Sequence, residues 1–177
     1  MKKIVLLIII VLLTISCATI KSKTTMGYDL VSWGSSIEKV KEIYVIGDEA
    51  KLMISEDNPD MIELIQENIS ENIKNRTFYF FENKLVIVTI VYNDSSDDNL
   101  KYLQDELENK FGNITDVEEE LDKKGSFTKT FTYGQYSPDL LVKIAYSTSS
   151  NTILVSYFWE KGIYEYMTSL KTILKSM

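Results

Sequence analysis

The residues of this 177-residue chain that can do chemistry are mainly carboxylates: it has 26 Asp and Glu, one cysteine and no histidine. Histidine is the commonest general base near neutral pH and the commonest metal ligand. A Ser-His-Asp triad and a histidine-ligated zinc site are therefore excluded. The seven glycines form no Gly-x-x-x-x-Gly-Lys phosphate loop. An enzyme would have to work through carboxylates, lysine or tyrosine.

The densest group of carboxylates is the segment DVEEELD at residues 116–122. A metal or substrate site built there would use Asp116, Glu118, Glu119, Glu120 and Asp122. Their spacing lacks the D-x-D-x-D-G order of a calcium loop, and charge runs usually form solvated surfaces. We interpret the segment as a solvated strand edge or loop, and we expect no metal and no cofactor.

The single cysteine, Cys17, follows two lysines at the start of the chain and an unbroken apolar run at residues 4–13. That run is shorter than the roughly 20 apolar residues of a membrane-spanning helix, and it has the pattern of a secretory signal peptide. An exported chain with one cysteine cannot close an internal disulfide, so its thiol needs another role.

The residues LTISC at positions 13–17 resemble a bacterial lipobox. The resemblance implies a lipoprotein in which Cys17 is acylated on sulfur, as by palmitate, and becomes the first residue of the mature chain. Two or more acyl chains make such an attachment stable. Ala18, rather than an aspartate, follows the cysteine, which favours the outer membrane over the inner one. The alternatives are an ordinary signal peptide with an incidental cysteine, or an uncleaved membrane anchor.

These features divide the chain into a signal peptide (residues 1–16), a lipidated cysteine with a flexible tether (17–27) and a single globular domain (28–177). Loss of the two leader lysines leaves 17 basic and 26 acidic residues, a net charge of −9. This charge argues against a nucleic-acid partner and against electrostatic binding to anionic lipid. The expected partners are the membrane, through acyl chains on Cys17, and a protein of the cell envelope.

Hydrophobic periodicity predicts an α+β fold in which an antiparallel sheet, made of a hairpin and a three-strand meander, carries helices packed mainly on one face. The hairpin strands are predicted at residues 78–81 and 85–92, and the meander at 127–133, 140–147 and 152–159. Helices are predicted at residues 36–44 behind an N-cap at Ser35, at 98–111 behind Asp97 or Asp98, at 162–177, and over 61–69 after Asn58-Pro59.

The hairpin's second strand, LVIVTIVY at residues 85–92, is apolar on both faces apart from one threonine. An antiparallel strand with one solvated face alternates apolar and polar residues. We therefore predict an interior strand whose second face is closed by the terminal helix, by the protein curling over itself, or by a partner. Simple alternation places Val86, Val88, Ile90 and Tyr92 on one face and Leu85, Ile87, Thr89 and Val91 on the other.

Three further motifs carry a family resemblance: WGSSIEKV at 33–40, YFFENKL at 79–85 and KFG at 110–112. Together they resemble small exported bacterial proteins that open with Trp-Gly-x-Ser-x-Glu-x-Val. They are also loosely similar to the helix-plus-sheet modules of outer-membrane assembly lipoproteins and secreted enzyme inhibitors. The resemblance implies a fold and no catalytic residues. The matching positions are Trp33, Gly34, Ser36, Glu38, Val40, Tyr79, Phe80, Lys84, Leu85, Lys110, Phe111 and Gly112.

The function favoured by these observations is that of an exported, membrane-anchored lipoprotein acting as a non-catalytic interaction or scaffold module in the cell envelope. One alternative is a protein that binds a small ligand or inhibits a secreted hydrolase. A carboxylate-dependent hydrolase such as a glycosidase comes third, because it needs two carboxyl groups roughly 5–10 Å apart across a cleft. Cys17, as the point of lipid attachment, is the one functional residue that the sequence predicts.

Overall fold

A computed structural model describes residues 27–46, 50–54, 61–121, 126–133, 139–148 and 150–176, with side chains up to residue 168 in the last range. Cys17 and the predicted signal peptide lie outside these ranges. The described helices are α1 (Ile37–Tyr44), α2 (Asp97–Phe111) and α3 (Glu160–Ser176). The described strands are β1 (Gly27–Tyr28), β2 (Val31–Ser32), β3 (Lys51–Ile54), β4 (Met61–Glu67), β5 (Ile73–Phe81), β6 (Lys84–Tyr92), β7 (Ile114–Leu121), β8 (Phe127–Tyr133), β9 (Leu140–Ser147) and β10 (Thr152–Trp159).

Eight of these strands form one antiparallel sheet in the order β3-β4-β5-β6-β10-β9-β8-β7, and β1 pairs with β2 alone. The described part of the chain thus holds ten strands against three helices. The predicted α+β class is wrong, because this is a mostly β protein with a large sheet and few helices. The predicted hairpin and meander are present, but other strands extend the sheet on both sides of them.

Strand β4 is the main source of that error, because residues 61–69 were predicted to be helical. Its apolar residues fit both a helical period and a strand period, but in the structure they are distributed over both faces of a sheet. Leu64 is buried on one face beside its cross-strand partner Phe78, whereas Met61 is buried on the other beside Phe81. A helix would have presented a single apolar stripe. Strand β4 instead lies between β3 and β5 and has apolar cross-strand neighbours on both sides.

The strand register aligns one apolar side chain from each of the eight strands in a single row across the sheet. Cross-strand partners point to the same face. Helices α1 and α2 both pack on the face that carries this row, and we call it the α1/α2 face. Helix α3 lies on the opposite side, the α3 face. The apolar row on the α1/α2 face consists of Leu52, Leu64, Phe78, Val88, Tyr157, Val142, Tyr133 and Ile114.

The helix boundaries match the predicted ones closely, but the capping residues differ. The side chain of Ser36, not Ser35, caps α1 by accepting a hydrogen bond from the Lys39 amide at 3.4 Å. Ser96, not either aspartate, caps α2 through the Asn99 amide at 3.2 Å. The capping residue directly precedes the first helical residue, so that its side chain reaches the exposed amide three residues on. Ser35 lies one position before that point, and Asp97 and Asp98 lie inside the first turn of α2.

Strand β6 is an interior strand, as predicted, but its two faces are not the predicted sets. The partners of Tyr79 and Phe80 are Ile87 and Leu85, so a bulge leaves Val86 unpaired. Leu85 therefore joins Val88 in the core under α1, and Val86 packs on the α3 face. Simple alternation fails at this point because a bulge adds one residue to a strand.

The two edges of the sheet are very different. Among the described strands, β7, the acidic segment, pairs with β8 alone, and only its first residue is even partly buried. Two of its carboxylates form ion pairs: Glu119 with Lys129 at 2.7 Å and Glu118 with Lys143 at 3.5 Å. At the other edge, every residue of β3 is exposed, including its last three, Leu52, Met53 and Ile54.

Candidate functional site

Helix α3 begins in close contact with the sheet at the β6 bulge. The Glu160 amide, directly after β10, donates a hydrogen bond to the Asp139 carbonyl at 3.0 Å. At Gly162 there is no room for a side chain, since a Cβ would lie 2.7 Å from Cγ1 of Val86 and would overlap the Trp159 ring. This glycine is therefore what allows the first turn of α3 to reach the sheet.

Between α3 and the sheet lies an open groove with a volume of about 630 Å³. Its floor includes three apolar residues that are cross-strand neighbours in one row: Ile87 of β6, Phe158 of β10 and Leu141 of β9. Its helical wall includes Ile163, Tyr164 and Met167. Tyr164 and Met167 are large and exposed, so apolar surface continues from the groove to solvent.

A row of polar side chains runs beside this apolar floor on the same face. Its hydroxyls are buried, and two of them, Thr89 Oγ1 and Ser156 Oγ, lie 3.2 Å apart and share a hydrogen bond. Lys143 belongs to this row and also lines the groove. The groove is consequently an apolar strip with a defined polar border. The polar row consists of Thr77, Thr89, Ser156, Lys143 and Thr132.

The groove offers little to acid–base or metal chemistry. Among the described residues that line it, Glu160 is the single carboxylate, so the pair of acids required by a glycosidase is not assembled there. No cluster of three or more potential metal ligands occurs among the described side chains. No described helix is long and apolar enough to cross a membrane.

Sequence patterns located this site only in part. The prediction that the second face of β6 needs a cover led to the correct side of the sheet, and the terminal helix was one of the three predicted covers. Leu141 and Phe158 were overlooked, although they stand out as large apolar residues on the less apolar side of β9 and β10. Cys17, the predicted lipid attachment, lies outside the described residues.

No protein-family model, no curated protein and no solved structure matches this chain. The resemblance to small exported bacterial proteins therefore stays a prediction. Its motif residues have structural positions here: Trp33 packs against two core clusters, Ser36 caps α1, and Gly112 follows α2 with a φ of 87°. The motifs position helices against the sheet and contribute none of the groove residues described above.

Proposed function

We propose that this chain is an exported lipoprotein, anchored by acyl chains on Cys17, whose domain is a non-catalytic binding module. The observation that carries the proposal is the groove between α3 and the sheet. It joins a concave apolar floor to exposed apolar side chains on the helix, and exposed apolar patches of this kind usually mark binding surfaces.

The groove favours an apolar ligand of small-molecule size. Ligand pockets typically have volumes of about 300–1,000 Å³ and are lined by apolar and aromatic groups with a few polar ones. The volume of about 630 Å³ lies inside that range. Lys143 and Glu160 are the charged residues of its described lining, and they carry opposite charges. A neutral hydrocarbon-like ligand therefore suits the groove better than a charged one.

Binding can be measured with the neutral fluorescent probe N-phenyl-1-naphthylamine. The Cys17→Ser protein is the sample, because it has no acyl chain of its own that could compete. Met167→Lys should weaken probe binding at least tenfold by placing a charge in the apolar wall. Val117→Lys is the matched control, since Val117 on β7 is 46% exposed and Met167 is 47% exposed. Equal affinities in the two variants would exclude the groove as the binding surface.

The anchoring part of the proposal has a separate test. Metabolic labelling with a palmitate analogue should mark the wild-type chain and leave Cys17→Ser unlabelled, and the variant should either leave the membrane fraction or remain unprocessed. Equal labelling of both chains would refute lipid attachment at Cys17. Cross-linking in intact membranes, followed by recovery of the chain, would show whether an envelope protein occupies the groove in place of a small ligand.

A further inference from the structure

The chain contains one arginine, Arg76, and its surroundings on the α1/α2 face are aromatic. It lies in β5, opposite Ile90 of β6. The guanidinium carbon is 4.7 Å from the centre of the Tyr44 ring, 5.8 Å from that of Phe78 and 5.9 Å from that of Tyr28. All three distances are within the range of cation–π attraction, so the rings fix the position of the guanidinium.

The guanidinium nevertheless has no anionic partner among the described residues. Arg76 takes part in none of the ion pairs between described residues, and its Nε is buried without an acceptor. The side chain of Asp29 instead accepts a hydrogen bond from the Tyr44 hydroxyl at 3.3 Å. A partly buried guanidinium with an unused Nε–H donor is unfavourable on its own and is stabilised by a bound acceptor.

Two further tyrosines lie beside Arg76 on this face. The guanidinium carbon is 5.9 Å from the centre of the Tyr28 ring, which packs against Tyr157 at a tilt of 57° with ring centres 4.9 Å apart. Tyr92 lies on the same face of β6 as Ile90, the cross-strand partner of Arg76. Burial raises the pKa of Tyr28 and raises that of Tyr92 to about 12, while the charge of Arg76 acts on both in the opposite direction. Both hydroxyls are therefore protonated at neutral pH and can donate hydrogen bonds.

We propose that Arg76, with the hydroxyls of Tyr28 and Tyr92, binds a carboxylate on the α1/α2 face, opposite the groove. A planar guanidinium can donate two parallel hydrogen bonds to the two oxygens of a carboxylate. A monoanion suits the site better than a phosphate dianion, because one positive charge is available and the carboxylate of Asp29 is bound to the hydroxyl of Tyr44, whose ring contacts the guanidinium. The carboxylate can belong to a free small acid or to the end of a peptide.

The single arginine makes the test direct, because a ¹⁵N-labelled sample of the full chain in non-ionic detergent has one arginine Nε–H signal. The probe is sodium acetate, titrated at constant ionic strength against sodium chloride. The expected result is a saturable shift of this signal and of the backbone amides of Arg76 and Tyr92. The dissociation constant should be on the order of 1–10 mM, as expected for two charge-assisted hydrogen bonds to a small anion.

Two variants separate this role from simple packing. Arg76→Lys keeps the charge but removes the planar fork, and the saturable amide shifts should disappear. Tyr92→Phe keeps the ring and should weaken acetate binding several-fold; it also provides the test if Arg76→Lys does not fold. A shift that is linear in acetate, or equal in chloride, would overturn the proposal. Tighter binding of inorganic phosphate at pH 8 would overturn the choice of a carboxylate.

Two peptides then distinguish the sources of the carboxylate. If a peptide end is the ligand, a short peptide with a free C-terminus should bind more tightly than acetate, and its C-terminally amidated form should not bind. If both peptides bind more weakly than acetate, the site takes a free small acid. Binding of the amidated peptide as tight as that of the free one would contradict carboxylate recognition.

Discussion

Replacing Gly162 by alanine should destabilise the domain, although alanine favours helices. An alanine Cβ would lie 2.7 Å from Cγ1 of Val86, whereas carbon atoms pack at about 3.5–4.0 Å. Helix α3 must then retreat by roughly 1 Å, or Val86 and Trp159 must move. Overpacking lowers the free energy of unfolding by about 1–3 kcal/mol, and the higher helix propensity of alanine offsets about 1 kcal/mol of this. Val86 is buried and stiff, which favours the upper part of the range, so we expect a net loss of about 1–2 kcal/mol.

Urea unfolding followed by tryptophan fluorescence measures this loss, because Trp159 is one of two tryptophans and lies against Gly162. Val86→Ala removes one of the obstructing atoms, so Gly162→Ala should be less damaging in that background, with a coupling of about 0.5–3 kcal/mol. A gain in stability of about 1 kcal/mol for Gly162→Ala alone would show that α3 does not contact the sheet as described.

Three other outcomes follow from local geometry. Ser36→Ala should cost about 0.5–2 kcal/mol in chemical denaturation and Ser35→Ala much less; the reverse order would move the start of α1 by one residue. Val45 is 88% exposed and ends α1 with a φ of 52°, a conformation that disfavours β-branched residues. Val45→Gly should therefore stabilise the domain by roughly 0.5–1 kcal/mol, and a loss of stability would refute this reasoning. Burial raises the pKa of Tyr157 well above its ordinary value of 10, so the unfolded chain loses this proton before the folded one does. The free energy of unfolding should therefore fall as the pH rises above 10, and it should fall less steeply in Tyr157→Phe. The same dependence on pH in both proteins would contradict this prediction.

Sequence patterns predicted the elements whose periodicity admits one reading. The meander strands at 127–133, 140–147 and 152–159 and the helices near 36–44 and 98–111 occur where expected. Residues 61–67 were misassigned because their apolar positions satisfy both a helical and a two-faced strand pattern, and only the pairing with β3 and β5 decides between them. With β4 assigned as a helix, the extent of the sheet could not be recognised, and the fold class was wrong.

The candidate groove was even less accessible to sequence reasoning. It depends on the bulge at Val86, on the close approach at Gly162, and on the row that joins Ile87 to Phe158 and Leu141. The bulge arises from pairing within one hairpin, and the other two features join residues far apart in the chain; none of the three is visible in the periodicity of a single strand. Arg76 had a simpler signal that was overlooked, because a single arginine within an aromatic-rich strand is unusual in a chain with 19 basic residues.

The contrast between the two sheet edges limits how this protein can self-associate. An edge strand has free backbone donors and acceptors and can pair with another copy, and charged side chains oppose such pairing. Strand β7 carries a line of carboxylates, whereas β3 exposes Leu52, Met53 and Ile54. Two copies joined through β3 would form a closed two-fold dimer with a mutually repelling acidic strand at each end. The unequal edges thus permit a pair and oppose a fibre.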